Sequence, residues 1–232
     1  MKRIAPEADV IDITHGIAPQ DVRHGASVLA ETLGYMPTGV HLAVVDPGVG
    51  TDRRAVALEG GGRLYVGPDN GLLLPAAERL GGIDRAVSLE NESYFLSPVS
   101  ATFHGRDVFA PVAAHLACGV DVGELGPPLA AAELVRVALS EQELGDGRVV
   151  ARVLAVDRFG NVQLEVRAGE LDGSVRVDGR RVPVARTFAD VSPGSLLAYV
   201  DSHRRLALAL NGRSAAAELG LRPGDEVEVS RS

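Results

Sequence analysis

The sequence predicts a chain in two parts: an α/β N-terminal domain, with a mostly parallel sheet and helices on both faces, followed by a smaller all-β C-terminal domain. Three observations predict this. Up to about Gly119, short β-branched runs alternate with stretches of helical spacing, the pattern of a layered α/β fold. From Arg148 onward short strands dominate, with turn residues at regular intervals, as in a small antiparallel barrel or sandwich. Between them, Val120 to Gly147 carries Pro127-Pro128, several acids and little strand pattern, as a crossover or linker does. The boundaries follow: residues 1–125 for the α/β domain, 126–147 for the linker and 148–232 for the all-β domain.

Taken in order, Val10-Ile11-Asp12-Ile13 reads as a strand ending in a polar turn. Val22, Ala26, Leu29, Ala30 and Leu33 then recur at helical spacing, with Asp21 as the cap and Gly34 as the stop. Gly39 to Val45 is almost continuously apolar, as strands inside a sheet covered on both faces are. Ala55–Leu58 and Leu64–Val66 flank Gly60-Gly61-Gly62, a hairpin signal. Gly71 to Leu80 and Phe109 to Ala117 read as helices, the second capped by Asp107. In the second half, strands are expected at Val149–Val156, Val162–Val166, Val175–Val177, Arg181–Val184, Leu196–Val200, Leu206–Leu210 and Glu226–Val229. Their turns use Asp178-Gly179, Pro193-Gly194 and Pro223-Gly224-Asp225, and Ser214 to Leu219 reads as one short helix.

The 232 residues are 46% hydrophobic, enough for one large core or two small ones. Acids outnumber bases 31 to 23, and no basic cluster is long enough to track a phosphate backbone, so nucleic acid is not an expected partner. Cys118 is the only cysteine, which excludes an internal disulfide and points to a reducing compartment. Its setting, AAHLACG, reads as the packed end of an apolar helix. Neither a signal peptide nor a membrane-spanning stretch is legible, so a cytoplasmic location is expected.

Five motifs carry chemistry-bearing residues. In DPGVGTDRR, Asp46 stands at the carboxyl end of a strand, where α/β enzymes keep catalytic groups, and Arg53 lies far enough on to fold back toward it. An Asp and an Arg facing one small site can hold and polarise a water; the alternative is a tight turn with a surface ion pair. The sequence GxxxxGK[ST] of a phosphate-cradling loop is absent. In SATFHGRDVFAP, His104 precedes an apolar helix, where it either reaches a ligand or fixes the loop; Arg106 and Asp107 read as a local pair. In GPDNGLL, Asp69 or Asn70 reads as a helix cap. In VDRFGNV, Asp157, Phe159 and Asn161 could hold an amino group, stack on a base and read its edge, or form an ordinary turn. In DITHGI, His15 reads as fixing a turn. No spacing suggests a metal site.

The ordered set DITHGIAPQDVRHGA, HLAVVDPGVGTDRR, GPDNGLL, TFHGRDVFAP and DRFGN resembles the S-adenosyl-L-methionine (SAM) hydroxide adenosyltransferase family, or SAM hydrolases, which are related to the fluorinase and chlorinase. The resemblance spans nearly the whole chain. It implies an α/β domain joined to a β-barrel, and a homotrimer whose site lies between the first domain of one subunit and the barrel of the next. It implies hydrolysis of SAM to adenosine and L-methionine, with SAM as substrate and no cofactor. The family's catalytic Asp-Arg-His set falls on Asp46, Arg53 and His104, an intact set that favours water over halide as nucleophile. Asn70 and Phe103 line up with pocket positions, and Asp157, Phe159 and Asn161 with the turn that holds the methionine amino group and adenine. Ser202, Asn211 and the backbone near Ser214 correspond to the pocket edge. Two departures are visible. Family members begin with a strand and turn supplying an Asp that grips the ribose hydroxyls, whereas MKRIAPEA matches the end of the following helix, so a sheet without that strand is expected. Leu164-Glu165 stand where relatives often have Thr-Asn. Two other functions stay open on this ground: a non-catalytic SAM or adenosine binder, and a halide-using relative.

Overall fold

The computed structural model describes residues 1–140 and 142–232. The chain divides into two compact units, Met1–Ala138 and Leu139–Ser232. Leu134 belongs to the core of the first and Leu144 to the core of the second.

In the first unit, α1 (Val22–Thr32) opens where Asp21 accepts a hydrogen bond from the His24 amide, the expected N-cap. Its end differs from expectation: the chain tightens into a 3-10 turn over Leu33–Tyr35, and Gly34 lies within that turn. Strand β1 (Val40–Leu42) follows, then the hairpin of β2 (Ala55–Gly60) and β3 (Arg63–Pro68). After them come α2 (Leu74–Arg79), β4 (Arg85–Ser88) and α3 (Ala110–Ala117), the last continuous with a π-helical turn over Gly105–Phe109.

The four strands lie in the order β1-β3-β2-β4. Only β1 and β3 run parallel; β2 is antiparallel to both of its neighbours. The sheet is therefore mixed, not mostly parallel. A hairpin at the Gly-rich turn makes one antiparallel pair, and the expected strand at Val10–Ile13 does not form. Val10 and Ile11 are 54% and 59% exposed, and among the described residues no strand pairs with them. An apolar alternation is not a strand until another chain segment accepts its hydrogen bonds.

Strand periodicity places alternate residues of β2 on opposite faces. Val56 and Leu58 pack with Ala26, Leu29 and Leu33 of the α1 region and with Ala76 and Ala77 of α2. Ala57 packs on the other face with Val108, Phe109, Val112 and Ala113. Helices thus cover both faces. Asp107 does not cap a helix: the helical path starts earlier, at Gly105, and the buried Asp107 carboxylate accepts the Ser100 N–H at 2.9 Å. Cys118 is exposed rather than packed, because α3 ends there and the chain turns away at Gly119.

The second unit holds β5 (Arg148–Val156), β6 (Val162–Arg167), β7 (Ser174–Val177), β8 (Arg180–Pro183), β9 (Leu196–Val200), β10 (Arg205–Leu210), α4 (Ala215–Leu219) and β11 (Glu226–Arg231). All strand pairs are antiparallel, in the order β8-β7-β11-β5-β6-β10-β9. A bridge between Val184 and Ala198 brings the two ends together, so the sheet is nearly closed and barrel-like. Val153, Val162, Leu164, Val175, Leu206 and Val227 fill its interior. Asp178 and Gly179 both have positive φ, the conformation of a two-residue hairpin turn. No helix is long and apolar enough to cross a membrane among the described residues.

Candidate active site

Two clusters hold the residues singled out from the sequence, one in each unit. In the first, β1 ends at Leu42, short of the expected Val45, and the chain runs on through Asp46 and doubles back, so that Arg53 reaches the carboxylate seven residues earlier. Arg53 Nε donates to Asp46 Oδ1 at 3.0 Å and Nη2 donates to Oδ2 at 2.6 Å, a fork-on-fork pair. The side chains are only 8% and 6% exposed. Nη2 also meets His104 Nδ1 at 3.2 Å. A guanidinium only donates, so the Nδ1 lone pair faces Arg53 and the ring proton sits on Nε2. Arg53 lies 5.4 Å from the centre of the buried Phe109 ring. Its Nη1 is buried and has no partner.

Gly50 makes this closure possible. It has φ +79°, and a Cβ there would stand 2.5 Å from the Ala101 carbonyl oxygen. The loop is thereby laid against the segment that carries His104. Thr51 Oγ1 braces the turn by donating to the Gly48 carbonyl at 2.7 Å. Phe103 is exposed, with Arg106 stacked 4.8 Å from its ring centre. Arg106 also forks onto Asp107, the expected local pair, which holds the Asp107 carboxyl below the usual carboxylate range.

Asn70 stands in a different relation to the cluster. Its Nδ2 donates to the Val45 carbonyl at 2.8 Å and its Oδ1 accepts the Leu72 N–H at 3.2 Å. Neither Asp69 nor Asn70 caps α2, whose N-cap position is Leu73 and has no side-chain hydrogen bond. Asp69 is buried and pairs with Arg54 and with the Val135 N–H. His15 lies 3.2 Å from Asp12 in an exposed turn.

In the second unit, Asp157 organises the turn between β5 and β6. Its Oδ1 accepts the N–H groups of Phe159 and Asn161 at 2.8 and 2.9 Å, and its Oδ2 accepts Asn161 Nδ2 at 2.8 Å. Asn161 is buried, while Phe159 is 66% exposed with Arg158 stacked 5.0 Å from its ring centre. The turn docks on the start of α4: the Ala216 N–H donates to the Gly160 carbonyl at 2.9 Å, and Ser214 Oγ caps the helix by accepting from Ala217 N. Asn211 Nδ2 donates to the Val191 carbonyl at 2.9 Å, and Ser202 is exposed in the turn after β9.

Two aromatic side chains belong to these clusters without having been singled out. Phe109 supports Arg53 from below; its proximity to His104 in sequence was the available signal. Tyr199 has its phenol pushed up to about 12, by burial first and then by the negative charges of Asp157 and Asp201. It lies on β9, far in sequence from Asp157, so spacing could not pair them. Among the described residues, no group of three or more His, Cys, Asp and Glu is placed to hold a metal ion.

Comparison with known proteins bears on both clusters. The SAM hydroxide adenosyltransferase N-terminal domain matches residues 1–126, and the C-terminal domain of the same family matches residues 151–228. This chain belongs to the SAM hydroxide adenosyltransferase family. A curated relative from Salinispora arenicola, named (R)-S-adenosyl-L-methionine hydrolase, is 52% identical over 99% of this chain and 89% of its own length. A fluorinase from an Actinoplanes species is 29% identical over 100% of this chain and 91% of its own. The crystal structure of an uncharacterized conserved protein from Thermotoga maritima matches with TM-score 0.86 at 37% identity, covering 99% of this chain and 92% of that one. In this chain, Asp46, Arg53 and His104 fall inside the matched N-terminal domain, and Asp157 to Asn211 inside the matched C-terminal domain.

Proposed function

We propose that this chain hydrolyses S-adenosyl-L-methionine to adenosine and L-methionine. One observation carries the chemistry: a buried Asp46–Arg53 pair with the half-buried His104 against it, in the loop that follows β1, with Arg53 Nη1 left as an unpartnered donor. Membership of the family and the name of the Salinispora relative supply the substrate. That name also specifies the (R) configuration at sulfur, which we extend to this chain.

The sulfonium of SAM makes methionine a good leaving group without help. The oxygen of one water attacks the ribose C5′ in line, the C5′–S bond breaks, and its electron pair stays on sulfur as the thioether of methionine. The water proton passes to Asp46, whose carboxylate oxygens each keep a lone pair beyond those used by Arg53. Arg53 orients the set and offers its free Nη1 donor to an incoming lone pair; His104 holds Arg53 at Nη2, the nitrogen that also serves Asp46. Placing one water in a nearly dry site supplies much of the rate. The scheme draws on no metal or cofactor.

We further propose a cytoplasmic homotrimer in which Asp157, Phe159 and Asn161 of one subunit complete the site on the first unit of the next, with Asn211 and Ser202 at its edge. The division of the site residues into two clusters, each on its own unit, supports that arrangement, and the exposed free thiol of Cys118 suits a reducing compartment.

The test is incubation of each sulfur epimer in heavy-oxygen water. Adenosine carrying the label at its 5′-hydroxyl, formed from the (R) epimer, is the expected product. Folded protein that yields no adenosine above a buffer blank overturns the assignment; chloride-dependent 5′-chloro-5′-deoxyadenosine would move it to the halide-using relatives. Asp46→Asn, which keeps a hydrogen-bond acceptor beside the buried Arg53, should lower the rate by about 10²–10⁴-fold.

A further inference from the structure

The path of the chain fixes what lies beneath the catalytic loop. β1 and β3 run parallel, and β2 runs antiparallel to β3 from the opposite side. The carboxyl ends of β1 and β3 and the amino end of β2 therefore share one edge of the sheet. A loop from the end of β1 to the start of β2 must cross over the end of β3. The segment that lies there is Gly67-Pro68-Asp69-Asn70.

That segment grips the loop at both ends. On the entry side, Asn70 Nδ2 donates to the carbonyl of Val45, the residue before Asp46, at 2.8 Å. On the exit side, the Asp69 N–H donates to the carbonyl of Arg54, the residue after Arg53, at 2.9 Å. The Asp69 carboxylate takes the Arg54 guanidinium as well, from Nε at 2.8 Å and from Nη2 at 2.6 Å. Its other oxygen accepts the Val135 N–H at 2.8 Å, and Arg54 reaches on to the Glu133 carbonyl. Asp69 is 6% exposed, so these donors offset the desolvation of its charge. Asn70 commits one Nδ2 N–H to Val45 and one Oδ1 lone pair to Leu72, so backbone groups on both sides fix the plane of its amide.

We infer that Asp69 and Asn70 are positioning residues for catalysis: the two-ended grip sets the separation of Asp46 and Arg53, and Asn70 is not a substrate contact. This role in catalysis rests on the SAM hydrolysis proposed above. A clamp acts on the attacking geometry, so its loss lowers kcat, whereas loss of a substrate contact raises KM.

The experiment compares Asn70→Ala, Asn70→Asp and Asp69→Asn with the unaltered chain. Asn70→Asp keeps the acceptor for Leu72 and turns a donor into an acceptor facing the Val45 carbonyl, with almost no change of shape. The expected result is a fall in kcat of about 100-fold, as a displacement near 1 Å produces, with KM for SAM within about threefold. Amide hydrogen exchange at Val49 and Thr51, whose N–H groups bond back within the loop, should quicken by about 10-fold or more while exchange in β2 and β3 is unchanged. A raised KM with kcat retained would make Asn70 a substrate contact and overturn the inference, as would unchanged kcat and unchanged exchange. If the unaltered chain forms no adenosine, the proposed function falls, and the exchange comparison still decides whether the clamp exists.

Discussion

Arg53 engages three groups through one planar guanidinium: a carboxylate along one edge, an imidazole at one corner and an aromatic ring beneath. No lysine could reproduce this, because a point charge has neither the fork nor the flat face. Asp46, Arg53 and His104 were legible because a motif kept them in order along the chain. The ring beneath and the unpartnered Nη1 were not, since packing and the loss of partners exist only in three dimensions. The same holds for His41, which opens the run HLAVVDPGVGTDRR but was not singled out there. Its Nε2 lies 3.0 Å from Arg63 Nη1 and its ring beside Tyr65. Burial first, and the Arg63 charge second, bring its pKa from 6.5 down to about 4. Between those values the unfolded chain binds a proton that the folded chain refuses. The stability present above the ordinary value is therefore lost as pH falls toward about 4. For a half-solvated ring this amounts to on the order of 1–2 kcal/mol. Urea unfolding at neutral pH and at about pH 5 should show the loss, and His41→Gln should flatten that part of the profile.

Turns decide where the two clusters stand. The hairpin of β2 and β3 was legible because its signal is local, three glycines between two apolar runs. The expected strand at Val10–Ile13 failed for the opposite reason: pairing is non-local, and alternation carries no information about a partner. The turn from Asp157 to Asn161 combines both kinds of information. Its Asp and Asn were visible in sequence, but its seat on α4 was not. Gly160 has φ +82°, and a Cβ there would stand 2.6 Å from Ser214 Cα and closer still to the Ser214 side chain. Rotation of Ser214 cannot relieve a clash with its own Cα. Gly160→Ala should therefore lift the turn off α4, at a cost of about 1–3 kcal/mol in urea unfolding. If the turn holds the substrate as proposed, KM for SAM should rise about 10-fold with a smaller change in kcat. An unchanged KM in folded protein would detach this turn from substrate binding.

At the scale of the molecule, each unit has its own core, and each was foreseen as a texture in the sequence: alternating helix and strand, then strands alone. Orientation within the first sheet was not foreseen, because period and polarity are the same in parallel and antiparallel strands. The proposed trimer makes a prediction that no single-subunit site can match. Asp46→Asn damages one half-site and Asn161→Ala the other. Unfolded together and reassembled at equal amounts, two inactive variants should regain about a quarter of the unaltered activity, since one subunit contact in four then joins two intact halves. Activity that stays at the level of the separate variants would place both halves in one subunit. Cys118 gives the means to follow such mixtures. The sole thiol of the sequence sits exposed where α3 ends, so a maleimide dye marks every polypeptide once and at a known place. Counting bleaching steps particle by particle then reports stoichiometry, and two colours report which chains have exchanged.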